Sequence, residues 1–182
     1  MDLLDIKDKD VSKIRQKGVT MSRKFDLKEL VRVAVIDERS GKELYKKMSE
    51  RAHNVELRKK FTWLVGQEKL HQERFERMLE ELESKKEKSF MQYPDEYVDY
   101  LELLAAEGGQ TEAHRKIQQS TDDLDLVELA IRFERDQLSL QRDMGTVLGE
   151  SYRPIIDEII NEEISHLVTL AKEKKKLTGQ IT

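Results

Sequence analysis

Cysteine is absent from this chain of 182 residues. Its absence excludes disulfides, thiolate zinc sites, cysteine-bound iron–sulfur clusters and a cysteine nucleophile. Proline occurs twice and glycine eight times, so few positions interrupt regular structure. No segment approaches the roughly 20 apolar residues that a membrane span needs, and the charged N-terminus lacks the apolar centre of a signal peptide. We therefore expect a cytoplasmic protein that does not enter a membrane.

Charge is abundant but of mixed sign. Charged residues make up 38% of the chain, and the formal net charge is −4. This balance predicts no basic surface of the kind that binds nucleic acid or anionic lipid. The length suits one domain with a substantial core, and the composition favours helices.

Capping residues and apolar periodicity predict four long helices, over about 26–52, 55–83, 121–149 and 151–176. Asp26 with Glu29 forms a candidate capping box. Asn54 is the candidate N-cap of the second helix, and Ser120 or Thr121 that of the third. The sequence therefore predicts an all-α protein.

Each predicted helix carries an apolar stripe at three- and four-residue steps. Near its middle, each stripe is interrupted by a glutamate, at Glu38, Glu68, Glu134 and Glu163. A carboxylate in a protein core costs roughly several kcal/mol unless it is paired, protonated or bound to a cation. Two divalent cations would formally neutralise four converging carboxylates, so the pattern indicates a dinuclear metal site.

Two of the four histidines follow these glutamates by three residues, as His71 follows Glu68 and His166 follows Glu163. Residues three apart lie on one helix face, so each pair can ligate one centre. Two such pairs with one glutamate from each remaining helix form the ligand set of ferritin-like di-iron or di-manganese proteins. Mixed imidazole and carboxylate ligands suit iron or manganese.

The two halves of the chain repeat this arrangement. Glu38 and Glu68 are separated by 30 residues, and Glu134 and Glu163 by 29. The repeat predicts two helical hairpins joined by a long crossover at about 84–119. We expect a charged N-terminal extension over 1–24, a four-helix bundle over 25–176 and a short tail over 177–182.

These residues, with Tyr45 seven positions after Glu38, resemble the rubrerythrin group of the ferritin-like superfamily over about 27–172. The resemblance implies a non-haem di-iron oxidoreductase that reacts with hydrogen peroxide or dioxygen while oxidising Fe(II). It implies bridging roles for Glu68 and Glu163. The full ligand set that it implies is Glu38, Glu68, His71, Glu134, Glu163 and His166.

The chain departs from full-length rubrerythrins in two ways. This chain has no cysteine for the four-cysteine rubredoxin-like domain, so we expect any electron donor to be a separate molecule, such as a donor protein. Rubrerythrins have an additional glutamate at the position of Ile131. Without that glutamate, the site is closer to the simpler ferritin type. Tyr45 is expected to hydrogen-bond a ligand or pass an electron, with an ordinary core tyrosine as the alternative. Gly41 either leaves space for a small oxidant or makes a packing contact.

Other interpretations remain open at this stage. The same site would serve iron storage in a closed multimer or manganese-dependent peroxide removal. A metal-free scaffold would instead bury the glutamates and histidines as a satisfied polar network. A homodimer is expected from the additional apolar residues Leu30, Val35 and Leu44.

The remaining histidines provide a comparison within the chain. Glu50 and His53 also have Glu-x-x-His spacing but lie off the apolar stripe, so both are predicted to be exposed. His114 has no partner at a ligating spacing and is predicted to be structural or exposed. Trp63 is off the stripe of Glu68, and no chemistry is assigned to it.

Overall fold

The computed structural model describes residues 22–84, 90–96, 98–100, 116–120 and 122–180. The four predicted helices are present among these residues. In chain order the elements are β1 (Ser22–Asp26), α1 (Leu27–Arg51), α2 (Val55–Ser84), β2 (Phe90–Pro94), a 3₁₀ turn (Ile117–Gln119), α3 (Asp123–Val147) and α4 (Arg153–Leu177). Within these described ranges, no helix combines the length and apolarity needed to cross a membrane.

The helix starts follow local capping chemistry. Asn54 caps α2 as predicted, because its Oδ1 accepts hydrogen bonds from the backbone nitrogens of Glu56 and Leu57. The N-cap of α3 is Asp122, whose side chain accepts from Asp125 N. The prediction of Ser120 or Thr121 at that position was wrong. A carboxylate there also interacts favourably with the positive end of the helix dipole.

The helices pack as two antiparallel hairpins, α1 with α2 and α3 with α4. Two apolar clusters fill the bundle, and a layer of buried polar residues separates them along each helix. The first cluster includes Val31, Phe75, Met144 and Ile156. The second includes Met48, Phe61, Val127 and Leu170. The glutamates therefore lie in a polar layer in the middle of the core.

The predicted crossover carries a structural element that the sequence did not reveal. Strand β2 pairs antiparallel with β1, from Ser22 opposite Pro94 to Asp26 opposite Phe90. The hydroxyl of Tyr93 donates to the carbonyl of Val147 at the end of α3. At the opposite end of the bundle, Asp123 accepts hydrogen bonds from the backbone nitrogens of the turn between α1 and α2. The connection thus spans the length of the bundle.

The apolar residues that suggested a dimer are buried within the single chain. Leu30 and Leu44 are fully buried, and Val35 is 8% exposed. They therefore give no support to an interface between copies.

Candidate metal centre

The four helices bring the six predicted ligands into one buried layer. None of the six is more than 2% exposed. Their nitrogen and oxygen atoms form two groups, in each of which one atom from every residue lies within 4.8 Å of the others. One group is Glu38, Glu68, His71 and Glu163, and the other is Glu68, Glu134, Glu163 and His166. Glu68 and Glu163 belong to both groups.

Several ligand atoms in this layer lack a hydrogen-bond partner among the described residues. They are Glu38 Oε2, Glu68 Oε1, His71 Nδ1 and Glu134 Oε2. His71 Nδ1 lies 2.9 Å from Glu163 Oε1, but this ionic contact lacks hydrogen-bond geometry. Buried polar atoms are normally satisfied, and leaving one unsatisfied costs roughly 1–3 kcal/mol. The donor set and its unsatisfied atoms therefore fit a pair of divalent cations.

His71 is oriented by a charged pair that the sequence analysis missed. Its Nε2 lies 2.8 Å from Glu162 Oε2. Arg74 donates from both Nη atoms to the Glu162 carboxylate, at 2.9 and 3.0 Å. With Nε2 directed at Glu162, Nδ1 faces the carboxylates. A second hydrogen bond of this kind commonly fixes the orientation of a metal-ligating histidine.

His166 has a different environment. Its Nδ1 lies 2.9 Å from Glu163 Oε2 and 3.6 Å from Glu134 Oε2. The ring of Trp63 meets it edge to face, with ring centroids 5.2 Å apart, although Trp63 is 44% exposed. Trp63 therefore contacts a candidate ligand, a position that its place off the Glu68 stripe did not indicate.

Three further side chains donate hydrogen bonds to the glutamates. The Tyr45 hydroxyl lies 2.5 Å from Glu134 Oε1. Gln137 Nε2 donates to Glu68 Oε2 at 3.0 Å. Gln141 Nε2 donates to both Glu38 Oε1 and Glu163 Oε1, at 3.1 and 2.9 Å. The expectation that Tyr45 bonds a candidate ligand thus has a geometric basis, while its role in electron transfer stays a prediction.

Gly41 makes room for a ligand. A Cβ built at this position would lie 2.3 Å from Glu68 Oε2, and 2.8 and 2.9 Å from two carbons of the Phe133 ring. The space beside Gly41 is therefore filled by a carboxylate and an aromatic ring, which favours the packing interpretation over a site for a small oxidant.

The buried carboxylates of this layer differ in the direction of their pKa shifts. Burial raises the pKa of Glu68 and of Glu134 well above the ordinary carboxyl value, and neighbouring carboxylates raise it further. Burial also disfavours the charged form of Glu163, but the hydrogen bond with His166 and the ionic contact with His71 outweigh it and hold the pKa of Glu163 far below its usual range. Burial lowers the pKa of His71, yet contacts with Glu163 and Glu38 prevail and raise it to about 11.

These shifts predict how the stability of the metal-free protein depends on pH. Glu68 and Glu134, with raised pKa values, keep their protons in the folded chain where the unfolded chain has lost them. The pKa of His71 is raised to about 11, so above about pH 6.5 this residue also keeps its proton in the folded chain where the unfolded chain loses it. Because the folded chain binds more protons, its stability falls as pH rises. Glu163 is ionised in both states here and contributes no slope.

We expect the thermal midpoint of metal-free protein to be lower at pH 8 than at pH 5.5 by about 5 °C or more. Differential scanning calorimetry in matched ionic strength would measure it. The double variant Glu68→Gln, Glu134→Gln should show a shallower dependence, and a midpoint that rises over this interval would contradict the assignment. Cation binding displaces these protons, so the thermal midpoint of metal-loaded protein should not decrease between pH 5.5 and pH 8.

The third Glu-x-x-His pair, Glu50 with His53, belongs to neither ligand group, and neither does Ile131. Glu50 is exposed, and the side chain of His53 is 80% exposed, as predicted. Ile131 is half-buried against the second apolar cluster. His114 lies outside the described residues.

Comparison with known proteins gives two findings. The sequence model of the rubrerythrin family matches residues 29–125. The crystal structure of a protein from Thermotoga maritima, described as a ferritin-like diiron-carboxylate protein, is similar with a TM-score of 0.63 and 22% identity. The similarity covers 83% of this chain and 95% of that one, and it confirms the ferritin-like bundle. No curated protein matches the sequence.

Proposed function

This chain belongs to the rubrerythrin family, and on that premise we propose that it is a di-iron oxidoreductase that oxidises Fe(II) with hydrogen peroxide or dioxygen. The observation that carries the proposal is the pair of buried four-residue groups sharing Glu68 and Glu163. Ligands shared by both ions are typical of dinuclear carboxylate sites, and the membership of Glu68 and Glu163 in both groups supports that role.

The unsatisfied atoms argue against a metal-free scaffold. A structural polar network is expected to satisfy its own buried members. Here Glu38, Glu68, His71 and Glu134 each leave one buried nitrogen or oxygen atom without a hydrogen-bond partner in the described chain. These four residues belong to the two candidate ligand groups, which supports cation binding.

We assign the residues as follows. Glu38 and His71 would hold one ion, Glu134 and His166 the other, and Glu68 and Glu163 both. Two bound Fe(II) ions would supply one electron each, so that hydrogen peroxide takes up two protons and leaves as two water molecules.

The protein's own groups orient the ligands and connect them to solvent. Tyr45 fixes one oxygen of Glu134, and Glu162 fixes Nε2 of His71. The Glu162 side chain is 37% exposed. The hydrogen bond between His71 and Glu162 therefore links the buried layer with the surface, where protons are available.

Metal content is the first test. Protein purified from cells supplied with both iron and manganese should contain about two metal atoms per chain by elemental analysis, predominantly iron. Manganese as the dominant metal would redirect the proposal to manganese-dependent peroxide removal. Near-zero metal that persists after anaerobic Fe(II) loading would refute the metal site itself.

The oxidant requires a kinetic comparison. Anaerobic protein loaded with Fe(II) would be mixed in stopped flow with hydrogen peroxide or with dioxygen, and the two rates of Fe(III) formation compared. The faster reaction identifies the preferred oxidant, and no reaction with either would contradict the proposed function. Light scattering on the same sample separates a dimer from a storage shell. A separate electron-donor protein would return the site to Fe(II).

A further inference from the structure

The two non-shared glutamates are held by reciprocal hydrogen bonds between α1 and α3. Tyr45 follows Glu38 by seven residues and donates to Glu134. Gln141 follows Glu134 by seven residues and donates to Glu38. Each helix therefore supplies the donor for the glutamate on the other, in keeping with the repeat of the two hairpins.

Both bonds select one oxygen of the recipient carboxylate. Tyr45 and Gln141 each bind the Oε1 atom, of Glu134 and Glu38 respectively. The Oε2 atoms are left without a hydrogen-bond partner in the described chain. Glu134 Oε2 lies 3.6 Å from His166 Nδ1, and Glu38 Oε2 lies 3.6 Å from His71 Nδ1. Each donor thus leaves free the oxygen that faces the neighbouring histidine.

The chemistry of an amide fixes the orientation of Gln141. Its two amide hydrogens match two acceptors, Glu38 Oε1 and Glu163 Oε1. Rotating the amide would place its carbonyl oxygen against two carboxylates, which is repulsive. Gln141 is 2% exposed, so water does not compete readily for these bonds.

We propose that Gln141 is a positioning residue for the cation position formed by Glu38 and His71, as Tyr45 is for the position formed by Glu134 and His166. This inference rests on the proposed function, because it requires a site for two cations. Losing a residue that orients a metal ligand typically costs about 10–100-fold in metal affinity. The loss should fall mainly on this position. Gln141 bonds Glu38 and also the Oε1 atom of the shared Glu163, and that oxygen lies 2.9 Å from His71 Nδ1. The other oxygen of Glu163, Oε2, lies 2.9 Å from His166 Nδ1 and is not bonded to Gln141.

The two positions can be distinguished by binding Co(II) to metal-free protein. Trp63 is the only tryptophan and contacts His166, so quenching of its fluorescence by paramagnetic Co(II) should be strongest from the position that includes His166. Calorimetric titration reports both positions. Wild-type protein should bind about two Co(II) per chain.

In Gln141→Leu we expect one Co(II) to bind about 10–100-fold more weakly, while the larger part of the Trp63 quenching keeps its wild-type midpoint. Tyr45→Phe should instead shift the quenching midpoint. The matched control is Gln72→Leu, because Gln72 is half-buried and bonded to Lys42 and Glu76 instead of the site. Wild-type binding of both ions by Gln141→Leu would overturn the inference, whereas failure of wild-type protein to bind Co(II) would overturn the proposed function.

Gln141→Glu keeps the test decisive if the leucine variant does not fold. It preserves the side-chain length but replaces a donor with a further carboxylate. Positioning predicts weaker binding at the Glu38 and His71 position, whereas a simple count of charges predicts tighter binding. Tighter binding would therefore contradict the role assigned to Gln141.

Discussion

Changing either shared glutamate to glutamine, Glu68→Gln or Glu163→Gln, should reduce bound metal to less than one atom per chain and slow Fe(II) oxidation by more than about 100-fold. Both candidate groups contain these two residues, so one substitution damages both cation positions. Losing a ligand should cost more than losing a residue that orients one, for which about 100-fold is the upper end. Elemental analysis and stopped-flow oxidation measure the two effects.

The helical bundle should survive the change at Glu68. Burial raises the pKa of Glu68 well above its ordinary value, so a neutral amide of the same shape suits the metal-free core. Circular dichroism should therefore show unchanged helix content in Glu68→Gln. The control is Glu50→Gln, which alters the exposed Glu-x-x-His pair and should leave metal content unchanged. Wild-type metal content in both shared-glutamate variants would contradict the assignment.

Gly41→Ala should abolish high-affinity metal binding without removing any ligand. The added Cβ would lie 2.3 Å from Glu68 Oε2 and under 3 Å from the Phe133 ring, so Glu68 must move. That movement would also break its bond with Gln137. We expect an affinity loss of about 100-fold or more by Co(II) titration, and a loss of about 1–3 kcal/mol in stability from overpacking.

Gly66→Ala provides the matched control. Gly66 lies in α2, and a Cβ built there meets nothing within 4 Å. Alanine in a helix interior is favoured over glycine by roughly 0.5–1 kcal/mol, so this variant should be slightly more stable and bind metal normally. If Gly41→Ala bound metal and unfolded like Gly66→Ala, the close approach of Glu68 to α1 would not be needed for metal binding.

The apolar stripes predicted the bundle and its buried glutamates because the helical period is a local property of the sequence. Glu68 and His71 could be placed on one face from their spacing alone. Whether that face meets Glu38 depends on helix packing, and the repeat of the two halves supplied that information. The third N-cap was misplaced because Ser120, Thr121 and Asp122 all have suitable side chains, and only tertiary structure decides among them.

Tyr45 could be proposed as a supporting residue from its spacing, but Glu162 and Gln137 could not be found in this way. Glu162 precedes Glu163 directly, and helical periodicity gives no reason to pair it with His71 on another helix. Gln137 stands three residues after Glu134. The same position is occupied by Gly41 in α1 and by a histidine in α2 and in α4, so comparing the four helices could have pointed to Gln137. The pairing of β1 with β2 joins segments far apart in sequence, which local patterns do not specify.

The division of ligands between the hairpins has a mechanical consequence. Each group takes three residues from one half of the chain and one from the other: Glu163 completes the first group, and Glu68 completes the second. A cation bound to either group would therefore cross-link the two halves of the chain. This chain has no cysteine with which to form a disulfide cross-link instead. Ligand-linked stability would then hold the hairpins together, and a chain cleaved in the crossover could stay assembled as a two-fragment complex while the ions remain bound.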